Sequence, residues 1–239
     1  MFVRRYLILR LQVVALMVIP AAAAGQRSSL RPVEDDEAGA IGIAFDGAVP
    51  SGPFRQFAGF APGAGLSAII NLGAGSPLAL RVDAAGVIYG NGYATLPQSY
   101  YPLSLHTTNG MGTLGIGPQL TIGGGPIRLY GFATFGATWI STWSSYQDNG
   151  CGCSPPGGGT DFSDWAASYR AGGGLLLRMG SRRSSTMLDL GASYLHNNPA
   201  SFVVPGSAVS APDGTIALTT VRSATEFVVL HVGVSVILR

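Results

Sequence analysis

The sequence predicts an all-β fold, an eight-stranded antiparallel up-and-down transmembrane β-barrel with short periplasmic turns and long extracellular loops. Three observations predict it. Seven connections alternate long and short between eight stretches rich in Gly, Ala, Val, Leu and aromatics. Those stretches alternate apolar and small or polar residues with period two, as strands with two different faces do. Charged residues make up only 11% of the 239-residue chain, far from the roughly 25–35% that suits a water-soluble surface. The 35 glycines also count against long helices, since an interior Gly costs about 1 kcal/mol relative to Ala.

Residues 1–25 read as a secretory signal. Arg4 and Arg5 form a basic start, an apolar run follows from Tyr6 to Ile19, and Pro20 with Ala21–Ala24 offers a cleavage site. The uninterrupted apolar run is too short for a helix that crosses about 30 Å of hydrocarbon. Without Arg4, Arg5 and Arg10 the chain carries 11 Arg against 12 Asp and Glu, so its net charge is −1 and nucleic acid is not an expected partner. Residues 26–38, with Glu34-Asp35-Asp36-Glu37, read as a solvated acidic leader, and 39–239 as the barrel.

The strands follow in order. Ile41, Ile43 and Phe45 oppose Gly42, Ala44 and Asp46. Leu66, Ala68, Ile70 and Leu72 oppose Ser67, Ile69 and Asn71. Leu78, Leu80, Val82 and Ile88 oppose Arg81, Asp83 and Tyr89. Leu114, Ile116, Leu120 and Ile122 oppose Thr113, Gly115, Gly117, Gln119 and Thr121. The fifth strand, Ile127–Ser141, puts Arg128, Tyr130 and Thr134 on its second face. The sixth, Trp165–Arg178, puts Ser168, Arg170, Gly172 and Gly174 there, and the seventh, Met187–Leu195, puts Asp189, Gly191 and Ser193 there. The last opposes Val228, Leu230, Val232, Val234, Val236 and Leu238 to Phe227, Val229, His231, Gly233, Ser235 and Ile237.

The long connections fall at 50–64, 90–110, 145–163 and 197–225, the short ones at Gly73–Pro77, Gly123–Pro126 and Met179–Thr186. Gly123-Gly124-Gly125 is read as a turn and Gly172-Gly173-Gly174 as an inner wall; neither has the Lys-Ser/Thr of a phosphate loop.

One face is thus apolar. The other is small and polar and carries Asp46, Arg81, Asp83, Arg128, Arg170, Asp189 and His231. Apolar faces of this length match a tilted membrane crossing, so the apolar side is expected to meet lipid. A sheet in hydrocarbon must then close, because every backbone N–H and C=O needs a partner within the protein. Eight strands leave an interior that side chains fill. Arg81, Arg128 and Arg170 are expected to pair there with Asp46, Asp83 and Asp189, since an unpaired buried charge is costly. An even strand count puts both ends on the periplasmic side. Tyr89, Tyr93, Tyr100, Tyr101, Trp139, Trp143, Tyr146, Trp165, Tyr169 and Tyr194 lie near the long-loop ends and supply an outer aromatic girdle.

With its signal, its loop rhythm and segments such as Gly115-Ile116-Gly117-Pro118-Gln119-Leu120 and Leu188-Asp189-Leu190-Gly191-Ala192-Ser193-Tyr194, the chain resembles the small eight-stranded outer-membrane barrels, OmpA-transmembrane-like or OmpX-like, over roughly 38–239. The resemblance implies location in the bacterial outer membrane among its lipids. It also implies passage through periplasmic chaperones and the barrel-assembly machinery. The assembly signal would map onto His231, Gly233, Val236 and Leu238, although Arg239 ends the chain where a terminal aromatic is usual.

Chemistry is sparse. Cys151-Gly152-Cys153 lies in the third long loop, in an exported and so oxidising setting. A loop-local disulfide is the first reading; a weak soft-metal site and a bond to another chain are the others. Two thiols fall short of a structural zinc site, which needs four ligands, and His106, His196 and His231 have no metal spacing. No cofactor is expected.

Outer-membrane lipid A deacylases carry His-x-Ser late in the barrel. Here His196-Asn197-Asn198 puts Asn198 in place of the nucleophile, with no Glu at a suitable distance before Glu226. The expectation is therefore a barrel with no enzymatic activity, a structural or loop-mediated binding role toward an unknown extracellular ligand, and no large pore. A lipid A-modifying enzyme is the alternative, and a secreted lipocalin-like barrel with its apolar faces inward is another.

Overall fold

In a computed structural model of the chain, the described residues are 37–73, 75–96, 103–148, 158–181, 184–210 and 216–239. Eight long strands form the barrel: β1 (Gly39–Ser51), β2 (Ala61–Asn71), β3 (Leu78–Leu96), β4 (Leu103–Ile122), β5 (Ile127–Asp148), β6 (Gly158–Arg178), β7 (Thr186–Val203) and β10 (Thr220–Leu238). Two short strands, β8 (Val209–Ser210) and β9 (Ile216–Ala217), make a separate hairpin in the connection between β7 and β10. Each long strand pairs with its sequence neighbour, and β10 returns to pair antiparallel with β1, which closes the barrel.

The alternation read from the sequence sets the two faces. On β10, Val228, Leu230, Val232, Val234, Val236 and Leu238 are exposed, whereas Phe227, Val229, His231, Ser235 and Ile237 are buried. On β1, Phe45 is 82% exposed and its neighbour Asp46 only 6%. Ile41, Ile43, Leu66, Ile70, Leu114, Ile116, Leu120 and Phe135 continue the outward apolar belt. A soluble lipocalin-like barrel has these faces reversed, so that alternative is overturned. The belt is the lipid-facing surface of a transmembrane barrel.

The strands run further than the sequence suggests. Residues 90–96 and 103–110, read as part of a long connection, continue the β3–β4 ladder to the pair Leu96 and Leu103. Gly90 and Gly92 in this stretch mark a close approach. A Cβ on Gly90 would lie 2.4 Å from Pro205 Cγ, and one on Gly92 2.9 Å from the Gly206 nitrogen. The connection after β7 therefore reaches β3, three strands from β10 in the closed ladder order.

The first long connection also holds structure. After β1 a 3-10 helix (Gly52–Gln56), opened by Pro53, turns Phe54 inward. Phe54 is fully buried, edge-on to Tyr89, Phe202 and Phe227 at 5.1–5.4 Å between ring centres. Tyr89, assigned to the girdle from its position in the chain, is instead part of this plug, because it shares the inward parity of Arg81 and Asp83.

On the periplasmic side Gly123 and Gly125 adopt φ of 99° and 92°, which L side chains rarely take, and the turn between β4 and β5 depends on them. The seam between β1 and β10 depends on Gly233 in another way. A Cβ there would stand 2.3 Å from the Ile43 carbonyl oxygen and 2.7 Å from Ala44 Cβ. Gly233→Ala forces the closing strands apart. The expected outcome is a lower unfolding midpoint, by an overpacking cost of about 1–3 kcal/mol, measured as the temperature at which the compact band is lost on unboiled gels.

Candidate functional site

The lumen is filled in three layers. Nearest the periplasm, Arg128 on β5 donates a two-pronged hydrogen bond to Glu37, at 2.5 Å from Nη1 to Oε2 and 2.7 Å from Nη2 to Oε1. Both side chains are buried. Asn71 holds the same segment by donating to the Glu37 carbonyl at 2.8 Å. This corrects two expectations. Arg128 pairs with Glu37 rather than with one of the three lumen Asp residues, and Glu37 belongs to the barrel interior rather than to a solvated leader. Glu37 precedes the first strand, where no alternation exists to reveal which way it faces.

The middle layer holds the remaining charges. Arg81 Nε donates to Asp83 Oδ1 at 2.7 Å and Nη1 to Gln119 Oε1 at 2.9 Å; Gln119 in turn donates to Thr121. The Arg81 guanidinium lies 4.2 Å from the centre of the Phe132 ring, a cation–π contact inside the wall. Tyr130 donates to Asp189 Oδ1 at 2.7 Å, and His231 Nε2 stands 2.8 Å from the Tyr130 hydroxyl and 3.3 Å from Asp189 Oδ1. Arg170 donates to Ser193 at 2.9 Å and, among the described residues, makes no direct pair with an Asp. Asp46 likewise pairs directly with none of the three Arg residues. It faces a void of about 20 Å3 that Arg81, Arg170, Asp189 and His231 share.

Between the two expected sets the direct pair is Arg81 with Asp83, and His231, outside the expected pairing, takes Asp189. A guanidinium reaches carboxylates only where the stagger between strands brings them level, and alternation carries no stagger. Tyr130 and Gln119 are visible in the sequence as inward-facing residues, but only the ladder registers join them to the charged set.

Above these lies a neutral layer. Thr138 donates to Asn197 Oδ1 at 2.7 Å, Asn197 to Thr225 at 2.8 Å, and Thr142 to Asn109 Oδ1 at 2.7 Å. The Phe54 cluster tops it. Among the described residues these layers pack the lumen.

The outer rim and outer face carry the other groups. Asp164 on β6, one residue beyond Trp165 toward the outside, accepts from the Ser201 backbone N–H and the Trp165 N–H, both at 2.8 Å. The Ser201 bond is the main reason its carboxyl sits below the usual range, with Arg222 adding to it. Trp139 stacks on Trp165 at 6.2 Å and meets Trp143 edge-on; Tyr169, Tyr194 and Tyr93 are exposed beside or beyond them, as a girdle requires.

His196 on β7 faces outward with them, and its Nδ1 lies 2.9 Å from Glu226 Oε1 on β10, directly across the strand pair. The missing acid of the deacylase comparison is thus present as Glu226, thirty residues along the chain but adjacent in the sheet, while Asn198 still occupies the nucleophile's place. Gly233 closes the seam, Val236 and Leu238 point outward, and His231 inward. Cys151, Cys153, Tyr100 and Tyr101 lie outside the described residues, as does the side chain of Tyr146. Among the described residues no group of three or more His, Cys, Asp or Glu is placed to hold a metal.

Two outcomes follow. Arg128→Leu strands the Glu37 carboxylate in the lumen, and unfolding in detergent is expected to become easier by about 3–5 kcal/mol. Replacing Glu37 by Leu as well restores most of the loss, which urea midpoints of the single and double variants measure. At the rim, the depressed carboxyl of Asp164 stabilises the folded rim above the ordinary carboxylate range and ceases to do so as pH falls through its lowered value. Hydrogen exchange at the Ser201 amide should therefore lose protection in acid, and Asp164→Asn should flatten that dependence.

No family model matches the chain, and no curated protein matches it by sequence. Among solved structures it is similar to Ail, the attachment invasion locus protein of Yersinia pestis, at 13% identity and a TM-score of 0.44 over 85% of this chain and 99% of that one. It is similar to Neisserial surface protein A at 15% identity and 0.41, over 83% and 96%. It is also similar to a major outer membrane protein from Thermus thermophilus at 12% identity and 0.47, over 84% and 100%. The chain's own closed ladder and outward apolar belt carry the fold: a closed eight-stranded transmembrane barrel.

Proposed function

We propose that this barrel serves the outer membrane as a structural and surface-interaction protein, binding through its outer connections, with no transport through its lumen and no enzymatic activity. The observation that carries the reading is the filled interior. Buried ion pairs, a neutral hydrogen-bonded layer and the Phe54 cluster occupy successive levels of the lumen. What remains available to other molecules is the rim and the outer face. β3, β4 and β5 extend well past the tryptophan girdle, so the connections they carry are held away from the membrane on paired strands. Outer-membrane lipid is the permanent partner, the barrel-assembly machinery and periplasmic chaperones the transient ones, and an extracellular ligand would meet the rim.

No acyl-transfer activity is part of the proposal, because Asn198 supplies no nucleophile beside His196. The test has two parts. The full-length protein, expressed and fractionated, is expected in the outer membrane with a heat-dependent shift in migration. The folded protein in planar bilayers is expected to give no stable stepwise conductance. A reproducible open channel would overturn the packed-lumen reading.

A further inference from the structure

The outer face has one place where a polar pair heads an apolar groove. Glu226, His196, Tyr169, Phe135 and Ile116 stand opposite one another on β10, β7, β6, β5 and β4. The next row toward the periplasm has Tyr194, Ala171 and Ala133, with Pro118 beyond them on β4. Where Tyr169 and Phe135 raise a wall, Ala171, Ala133 and Pro118 leave a floor, and a groove of about 460 Å3 lies over them. Pro118 contributes a second effect. It has no N–H to give the ladder, and the β4–β5 pairing lapses at Gly117 and Pro118 while the register stays the same on either side.

We propose that this groove binds one acyl chain of an outer-leaflet glycolipid, with His196 Nε2 taking a hydroxyl of its sugar. The proposal rests on the lipid-facing orientation of the barrel. Three observations favour this occupant.

The first is length. From β7 to β4 the groove crosses three interstrand steps of about 4.8 Å, roughly 14 Å in all. That run lies along the barrel wall and suits a stretch of one extended chain. The second is direction. His196 lies nine residues above the periplasmic pair at Met187, and Ile116 only six above Ile122, so the groove descends from its polar head into the membrane. The third is the chemistry of the head. Glu226 is buried with Oε1 2.9 Å from Nδ1, which leaves Nε2 on the other side of the ring for a sugar hydroxyl. Tyr169 and Tyr194, exposed on the strands that flank the head, offer apolar ring faces with polar tips at interfacial depth. Ring nitrogen and aromatic faces together suit a sugar better than a choline or ethanolamine head.

The test uses the folded full-length barrel in detergent, with binding read by native mass spectrometry. The probes are purified lipid A and phosphatidylethanolamine at equal concentration. Lipid A is expected to be retained preferentially. His196→Ala should weaken it about tenfold, the equivalent of ~1.4 kcal/mol, and leave phosphatidylethanolamine unchanged. Ala133→Phe, which fills the floor without touching the head, should reduce lipid A retention to a similar extent. Both variants must keep the heat-dependent gel shift, so a failed fold is recognised as such; then Ala171→Phe replaces the variant that failed. Equal retention of the two lipids, no change on either substitution, or a second copy of the chain found on this face by crosslinking would each overturn the assignment.

Discussion

Everything in this molecule depends on closing the sheet. In hydrocarbon an unpaired N–H or C=O has no water to turn to, so the strand that ends the chain must find the strand that begins it. The seam between β1 and β10 is paired from Gly39 with Leu238 to Ser51 with Glu226. It tolerates no bulk where the two backbones come closest, and Gly233 meets that need. The acidic segment before β1 is drawn into the same problem. Once Glu37 is clamped by Arg128 from the far side of the lumen, the first strand is fixed at its periplasmic end as well as along its ladder.

Closure sets the problem that the inner face must solve. An eight-stranded barrel has room for side chains but little for water. Charges that enter it must be matched at close range. The forked Arg128–Glu37 pair, the Arg81–Asp83 pair with its Gln119 extension, and the Tyr130–Asp189–His231 cluster do this at successive positions. The small residues between them are part of the same arrangement: a Cβ on Gly191 would sit 2.4 Å from the His231 ring, and one on Gly174 2.7 Å from the Tyr130 hydroxyl. The glycines of the inner wall make room for the polar groups.

The sequence makes some of this legible and not the rest, for physical reasons. Period-two alternation shows which side of a strand a residue takes, and so it separates Phe45 from Asp46 and Val232 from His231 correctly. It does not show the stagger of one strand against the next. Alternation therefore gives Arg128 an Asp when its partner is Glu37, and it leaves His196 without an acid when Glu226 stands across from it. The stretch with Gly90 and Gly92 reads as connection, whereas the structure uses these glycines to admit Pro205 and Gly206 against a continuing strand. Phe54, in a stretch read as loop, carries no periodic signal at all.

The filled lumen and the bare outer face together decide where function can reside. A molecule approaching from outside meets the Phe54 plug and the connection that reaches β3. A molecule approaching in the plane of the membrane meets an apolar wall interrupted where Ala171, Ala133 and Pro118 lower it and where an imidazole is held by a buried carboxylate. A polar pair on a lipid-facing surface costs stability unless something at the interface satisfies it. Here Glu226 meets one nitrogen of His196 from within the protein, and in the proposed complex the other takes the lipid's hydroxyl. The same alternation that seals the lumen therefore turns the recognising surface outward, toward the membrane that the barrel inhabits.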